Sequence, residues 1–223
     1  MIVSVNEITK TFPIERRGHL PLYEELLRIL KIGSATDTFD ALSSVNLEVA
    51  RGERIGIIGH NGAGKTTLAR IIAKRIRPTS GTVDVRGKLA TYIGRALYAP
   101  AGVPVADYAR LVAAMHGMER PAVVAGLPEI LEFAGLSGRE LMSFQHLSAG
   151  MQQRLKVSTL LEVVRQDDSD IFLFDEALSA GDQYFSAKVS EVFAGLAERE
   201  TTMFYISHAM DEILAFCDRV VWI

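Results

Sequence analysis

A glycine-rich loop between an apolar run and a helix-compatible run is the feature that most constrains this chain. Residues 59–67 read GHNGAGKTT and fit the pattern G-x-x-x-x-G-K-[ST]. The fixed positions are Gly59, Gly64, Lys65 and Thr66. Glycines let backbone N–H groups turn inward onto phosphate oxygens, and a following helix adds its positive end. The run RIGIIG precedes the loop, and a helix is predicted after it as far as about Arg77. This context favours a phosphate-binding loop over a chance match.

Side chains that follow two other apolar runs complete a candidate site for a nucleoside triphosphate. Lys65 is predicted to contact the β- and γ-phosphates, and Thr66 to offer its hydroxyl to Mg²⁺. The run IFLFDE predicts a buried strand with Asp175 at its end as a Mg²⁺ ligand, and Glu176 as the general base for an attacking water. Alternatively, this acidic pair caps the next helix. His208 follows TTMFYIS and is either a structural residue or a γ-phosphate contact at the same sheet edge.

Strand and helix patterns alternate at both ends of the chain, which predicts an α/β fold with a mainly parallel sheet. Residues 104–144 have a mostly helical pattern, which predicts an inserted helical subdomain. Residues 16–40 are predicted to form an insertion with one amphipathic helix, which either packs on this domain or contacts a membrane subunit or a glycan. The other predicted elements are strands at Ile2–Val5, TVDVRG, KLATYI, DIFLF, TTMFYIS and RVVWI, and helices at 183–199 and HAMDEILAF.

Composition narrows the class of protein. The chain has 223 residues, of which 48% are hydrophobic and 23% are charged, so one compact domain with a substantial core is expected. A net charge of −3 disfavours a nucleic-acid partner, which normally needs a basic face. Cys217 is the only cysteine, so no internal disulfide forms, and this predicts an intracellular protein. The sequence shows neither a signal-peptide pattern nor an apolar run of about 20 residues, which predicts a chain soluble by itself.

A second motif, LSAGMQQR at 147–154, indicates which kind of protein carries this phosphate loop. The ordered set GHNGAGKTT, LSAGMQQR, IFLFDE, SAGD and SH resembles that of the ATP-binding-cassette (ABC) ATPases, and the resemblance covers nearly the whole chain. In that family LSAGMQQR corresponds to the signature motif, although Ala149 stands where glycine is commoner. SAGD at 179–182 resembles the D-loop, and His208 the switch histidine. Phe12 matches the aromatic residue that stacks on adenine in similar proteins, the alternative being a core phenylalanine.

The resemblance implies a set of roles for named residues. The ATP-binding set is Phe12, Gly59, Asn61, Gly62, Ala63, Gly64, Lys65, Thr66 and Thr67. The signature residues are Ser148, Ala149, Gly150 and Met151, the D-loop residues are Ser179 and Asp182, the catalytic residues are Glu176 and His208, and the Mg²⁺ ligands are Thr66 and Asp175. The implied ligands are therefore ATP and Mg²⁺.

Ser148 has two interpretations. It is either a simple helix cap, or part of an anion site that closes over the ATP of a second chain. The resemblance favours the second, because two domains of this family face each other head to tail. It implies a homodimer with two ATP molecules at its interface.

The resemblance also implies a domain plan. The chain is expected to be a single nucleotide-binding domain, 1–223, whose ATPase core is formed by about 1–93 and 168–223 and has antiparallel strands in its N-terminal region. A helical subdomain with the signature motif is expected at about 94–167, and the helical insertion at 16–40.

Several details resemble exporters of capsular polysaccharide, O-antigen or teichoic acid. Gly150–Met151, the run DEALSAGDQYF and the run SHAMDEILAFCDR match patterns of that subfamily. The family's usual glutamine is missing, since the matching stretch TYIGRALYAPAGVP at 91–104 contains none. The first glutamine of the chain is Gln145, just before the signature. The implied partner is an integral membrane permease, expected in two copies, which carries most of the glycan contact. The chain would then lie on the cytoplasmic face of the cell membrane, with no nucleic acid bound.

Three alternatives remain open. The first is an ABC ATPase of another transporter type, the second is a soluble mechanical ABC ATPase, and the third is a small-molecule kinase with the same phosphate loop. The missing glutamine and the GD-x-x-F element argue against the first. The lack of long coiled coils and of a basic stripe argues against the second. A kinase has no reason to carry the signature.

Overall fold

The computed structural model describes residues 1–14, 37–93, 102–175 and 183–223. Its strands are β1 Val3–Pro13, β2 Thr38–Val49, β3 Arg54–Ile58, β4 Ser80–Val85, β5 Leu89–Ile93, β6 Ile171–Asp175, β7 Thr202–Ile206 and β8 Arg219–Trp222. Its helices are α1 Lys65–Ile72, α2 Val105–Met115, α3 Arg120–Ala134, α4 Ala149–Gln166, α5 Gln183–Glu198 and α6 Met210–Phe216, with one 3₁₀ turn at Phe144–His146.

Five strands form a parallel sheet in the order β5-β6-β7-β3-β8. The strands β6 and β7 are apolar on both faces because helices cover both sides of the sheet. The carboxyl ends of β3, β6 and β7 therefore meet at one edge, which is where an open α/β sheet binds its ligands. The predicted mainly parallel α/β core is confirmed.

A second, antiparallel sheet has the order β2-β1-β4. One hydrophobic cluster joins it to the parallel sheet, with α1 contributing Leu68, Ile71 and Ile72 to the same core. The phosphate loop and its helix are thus held between two sheets. The predicted antiparallel strands of the N-terminal region are confirmed.

Two further clusters complete the interior. The first covers the other face of the parallel sheet and packs Phe172 and Phe174 of β6 against residues of α4, α5 and α6. The second joins α2, α3 and the start of α4, and includes Tyr108 and Phe144 stacked at 3.9 Å. The predicted helical insert between β5 and β6 is present, with its own apolar core.

Three boundaries differ most from the prediction. The strand predicted at Ile2–Val5 continues to Pro13, because bulges after Val5 and Ile8 interrupt the alternation that marks a strand in sequence. Helix α1 ends at Ile72 rather than near Arg77, since Lys74 has a left-handed φ of 55°. The predicted insertion at 16–40 extends too far, because Thr38–Asp40 belong to β2; residues 15–36 lie outside the described ones.

Candidate nucleotide-binding site

The phosphate loop connects the buried strand β3 to helix α1, as the motif requires. Gly64 precedes the helix with a left-handed φ of 99°, and a Cβ there would lie 2.2 Å from the carbonyl oxygen of Ala41. Gly62 also has a positive φ, 84°, but a Cβ there would meet no atom within 4 Å. The glycine at 64 is therefore required by both backbone angle and close approach, and the glycine at 62 by angle alone.

Lys65 closes this loop from inside. Its residue is 7% exposed, and its ammonium donates hydrogen bonds to the carbonyl oxygens of Gly59 at 2.9 Å and His60 at 3.0 Å. A buried ammonium needs such acceptors, because burial of an unpaired charge is costly. The loop is thereby held in a closed curve around a cationic group, which is an environment suited to phosphate oxygens.

A cavity of about 1210 Å³ opens over the loop. Most of the predicted ATP-binding residues line it, together with both predicted Mg²⁺ ligands and the predicted switch histidine. They are Phe12, Asn61, Gly62, Ala63, Gly64, Lys65, Thr66, Thr67, Asp175 and His208. Gly59 lies behind them, bound through its carbonyl to Lys65. The fold thus brings these residues from four separate segments into one chamber.

Asp175 and His208 reach the cavity from adjacent strands. Asp175 is the last residue of β6 and pairs in register with Ile206 of β7, two residues before His208. Both residues line the chamber with Thr66. The hydroxyl of Thr66 and the carboxylate of Asp175 are hard oxygen donors of the kind that Mg²⁺ uses beside substrate phosphates. Glu176, Ser179 and Asp182 lie outside the described residues.

A carboxylate not singled out from the sequence holds the segment around His208. Glu212 of α6 accepts hydrogen bonds from the hydroxyl of Tyr205 at 2.7 Å and of Ser207 at 2.8 Å. The oxygen of Ser207 in turn accepts the N–H of Ala209 at 3.0 Å. Burial, followed by the hydrogen bond to Glu212, raises the pKa of Tyr205. The residues on both sides of His208 are thus fixed. No motif marks Glu212, since its partners lie on a different element.

An aromatic pair lines the cavity beside the ends of β1 and β2. Phe12 and Phe39 oppose each other in the β1–β2 ladder, with ring centroids 5.8 Å apart and planes inclined by 29°. The ammonium of Lys10 lies 4.9 Å from the centroid of Phe12. Phe12 is therefore a cavity residue and not a core phenylalanine. Phe39 was not predicted, because it falls at the edge of the segment interpreted as an insertion.

The cavity also extends between the parallel sheet and the helical insert. The ring centroids of Tyr92, on β5, and His116 are 5.1 Å apart, and the Tyr92 hydroxyl donates a hydrogen bond to the carboxylate of Asp167 at 3.3 Å. Burial, and then the charge of Arg75, lowers the pKa of His116 and so favours its neutral imidazole. The stretch where the family's glutamine is expected falls largely within residues 94–101, outside the described ones.

The signature residues occupy the first turn of α4. Ser148 is the N-cap, and its hydroxyl oxygen accepts the N–H of Met151 at 3.3 Å. Ala149 and Gly150 follow at the start of the helix. None of these four residues is in the described lining of the cavity over the phosphate loop. The helix-cap interpretation of Ser148 is thus correct as local geometry. It does not exclude a second role toward another chain, since the motif is not part of this chain's own chamber.

A family model described as ABC transporter matches residues 42–179, which includes the phosphate loop, the signature and Asp175. The chain belongs to the ABC transporter family. The same ordered motifs indicated this family from the sequence, and the prediction is confirmed.

Two curated proteins are similar to this chain over most of its length. The teichoic acids export ATP-binding protein TagH of Levilactobacillus brevis is 36% identical over 99% of this chain and 59% of its own length. The protein of the same name from Bacillus anthracis is 32% identical over 82% of this chain and 32% of its own length. The ABC chain therefore spans between about a third and three fifths of the relatives that it matches.

Solved structures share the fold. The ATP binding subunit of an ABC transporter superposes with a TM-score of 0.71 at 18% identity and covers 100% of this chain and 86% of that one. The ATP-binding cassette MJ0796, in a dimeric post-hydrolysis state bound to ADP and Pi, gives 0.71 at 20% identity, with 99% and 94% covered. In the described ranges, none of this ABC chain's helices is long and apolar enough to cross a membrane.

Proposed function

We propose that this chain binds and hydrolyses ATP as the nucleotide-binding subunit of an exporter of a cell-surface polysaccharide. The observation that carries the proposal is the single chamber in which Lys65, Thr66, Asp175 and His208 meet over a glycine-rich loop. The polysaccharide class rests on the 36% identity to a teichoic acids export ATP-binding protein along nearly the whole chain.

The roles of the residues follow from their chemistry. The loop N–H groups and Lys65 hold the β- and γ-phosphates, and Thr66 and Asp175 hold Mg²⁺, which supplies neutralising charge to the phosphates. Glu176 accepts a proton from the water that attacks the γ-phosphorus, and the bond from phosphorus to the β–γ bridging oxygen breaks. His208 donates a hydrogen bond to the γ-phosphate, from a loop that Glu212 keeps in place.

The second part of the proposal is a homodimer with two ATP molecules between its subunits. The start of α4, at Ser148–Met151, stands apart from the chain's own chamber and offers a helix N-terminus and a hydroxyl. A helix N-terminus attracts anions, so it suits the γ-phosphate held by a second subunit. Ser179 and Asp182 are proposed to contribute at the same interface. ATP would favour the closed dimer, and loss of the γ-phosphate would release it.

A permease with several membrane-spanning helices, in two copies, would carry the glycan, and this chain would bind that permease at the cytoplasmic face of the cell membrane.

We propose that the chain forms one nucleotide-binding domain, with a core of about 1–93 and 168–223 and a helical subdomain of about 94–167.

The deciding experiment uses the Glu176→Gln variant, which should bind ATP but hydrolyse it slowly. Its mass in solution is measured with and without Mg-ATP. A shift from monomer to dimer on adding ATP is expected. A monomer with ATP demonstrably bound would contradict the homodimer formed by the chain alone. Normal turnover by Glu176→Gln would show that the assigned base is wrong. Co-purification with the co-expressed permease tests the exporter assignment.

A further inference from the structure

One long stretch of this acidic chain carries only positive charge. Residues 54–83 contain no Asp or Glu but six Lys and Arg, in a chain whose net charge is −3. Two of the six have partners inside the protein, since Arg54 pairs with Asp218 and Lys65 closes the phosphate loop. The other four are Arg70, Lys74, Arg75 and Arg77.

The fold gathers these four residues at the end of helix α1. The helix stops at Ile72, and the chain then turns back on it through Lys74, whose φ is 55°. The N–H groups of Arg75 and Ile76 both donate to the carbonyl oxygen of Arg70, at 2.8 and 3.3 Å. Ile76 packs against the core between the two sheets. The charged side chains are therefore left on the outside of a compact turn, where all four are exposed.

Three of the four cations have no partner within the described ranges. Arg75 donates to the hydroxyl of Thr91 at 2.6 Å and lines the cavity that contains the phosphate loop. Arg70, Lys74 and Arg77 make neither an ion pair nor a side-chain hydrogen bond with any described residue, and they do not line that cavity. We call these three residues the cationic helix end. Their charge is not compensated by the described protein and is open to an anionic partner.

Stabilisation of helix α1 accounts for only part of this charge. A cation in the last turn of a helix interacts favourably with the helix dipole, and Arg70 has that position. The effect falls off beyond the last turn, and Lys74 and Arg77 both follow the last helical residue, Ile72. Two of the three cations thus have no role in the fold that the described contacts explain.

We propose that the cationic helix end contacts the anionic lipid headgroups of a membrane surface. This inference rests on the proposed function, because that function puts the chain at the cytoplasmic face of a membrane. A small anion needs a concave site, whereas three exposed side chains around a helix end suit a layer of lipid phosphates that can rearrange beneath them. The negative potential of a cytoplasmic leaflet attracts each nearby Lys or Arg by about fivefold in affinity.

The experiment sediments the full chain with vesicles of phosphatidylcholine alone and of phosphatidylcholine mixed with phosphatidylglycerol. Binding to the mixed vesicles, weakened by added salt, is expected. The variant Arg70→Gln/Lys74→Gln/Arg77→Gln should bind them about a hundredfold more weakly, the product of three fivefold effects. Its affinity for ATP, measured in parallel, should not change, because none of the three residues lines the nucleotide chamber.

A matched control removes the same charge elsewhere. Arg51→Gln/Arg86→Gln/Arg110→Gln replaces three exposed arginines that already have carboxylate partners, and exposed pairs of this kind add little stability. The pairs are Arg51–Asp170, Arg86–Asp84 and Arg110–Asp107. Because the net charge falls equally in both variants, a general charge effect would weaken vesicle binding equally. We expect the control to bind the mixed vesicles as the unmodified chain does.

Three results would overturn the inference. They are an unmodified chain that binds ATP but not the mixed vesicles, equal vesicle binding by the two triple variants, and loss of co-purification with the permease in neutral detergent by the first variant alone. The last result would make this surface a protein contact. Failure of the unmodified chain to bind ATP would instead contradict the proposed function, and it would leave the vesicle comparison valid.

Discussion

The carboxylate of Glu212 accepts a hydrogen bond from the hydroxyl of Ser207 at 2.8 Å and so connects helix α6 to the residue before His208. The same carboxylate accepts the hydroxyl of the buried Tyr205 at 2.7 Å. One acidic side chain on a seven-residue helix thus satisfies two hydroxyl donors from the end of β7.

Removal of this acceptor should destabilise the fold. Glu212→Ala leaves the Tyr205 hydroxyl without its acceptor, and the free energy of unfolding should fall by about 1–3 kcal/mol. Urea denaturation measures this, with Asp211→Ala on the exposed side of the same turn as control, expected to cost less than about 1 kcal/mol. An equal loss of unfolding free energy in both variants would show that the hydrogen bonds to Glu212 add no stability. Glu212→Gln keeps an acceptor oxygen and should retain most of the stability.

Two glycines of the phosphate loop should respond differently to alanine. Both Gly62 and Gly64 have positive φ, so each substitution has a backbone cost of about 1–2 kcal/mol. Only at Gly64 does the new Cβ meet a backbone atom, the oxygen of Ala41 at 2.2 Å. Gly64→Ala should therefore be clearly less stable than Gly62→Ala in thermal unfolding. Matching melting temperatures would show that the approach of Ala41 is relaxed at little cost.

Lys65 should be required for phosphate binding. Lys65→Ala removes the ammonium that donates to the carbonyls of Gly59 and His60, so both the charge and the loop curvature are lost. The affinity for ATP should fall at least about tenfold, the value of one charge-assisted hydrogen bond. Lys74→Ala, at an exposed lysine just after α1, should bind ATP normally. Normal ATP binding by Lys65→Ala would remove the lysine from the site.

Ser148 should have two separable effects. Ser148→Ala removes the cap bond to Met151, and the free energy of unfolding should fall by about 1 kcal/mol. Hydrolysis should fall sharply, while nucleotide binding by the monomer stays nearly intact. Ser143→Ala is the control, because Ser143 precedes the 3₁₀ turn without a side-chain cap bond. Loss of monomer binding in Ser148→Ala would return Ser148 to a purely structural role.

The Arg54–Asp218 pair should make stability depend on pH. The Arg54 guanidinium donates to the carboxylate at 3.1 Å and holds the pKa of Asp218 below its usual range. A depressed folded-state pKa stabilises the protein above the unfolded value of about 3.9, and this is lost as pH falls through the folded pKa. Asp218→Asn should thus be less stable than the unmodified chain at pH 7. The difference should shrink at pH 3; a constant difference would contradict the assignment.

The sequence predicted those parts of the fold that local pattern determines. The strands at Arg54–Ile58, Ile171–Asp175 and Thr202–Ile206 are short apolar runs, and the structure has all three. The phosphate loop was predicted because its local backbone conformation requires glycines at fixed positions. The full length of β1 was not, since Glu7 takes a left-handed φ of 48° and the bulges erase the alternating pattern.

The site residues that escaped prediction depend on contacts between distant segments. Glu212 matters because Tyr205 and Ser207 point to it from another element. Phe39 matters because the β1–β2 register sets it opposite Phe12, 27 residues earlier in the chain. The early end of α1 is of the same kind: residues 73–77 are good helix formers, and tertiary context overrides that preference.

Strand β2 contributes residues to both ends of the nucleotide chamber. Phe39 lines the cavity beside Phe12, and two residues later the carbonyl of Ala41 lies close to Gly64 of the phosphate loop. Two residues of a strand span about 7 Å, so one segment sets the spacing between the aromatic pair and the phosphate loop at the two ends of the chamber. Deletion of Asp40 would shift the register by one position and turn Phe39 to the opposite face. The distance between this aromatic pair and the phosphate loop is therefore fixed by the length of a single strand.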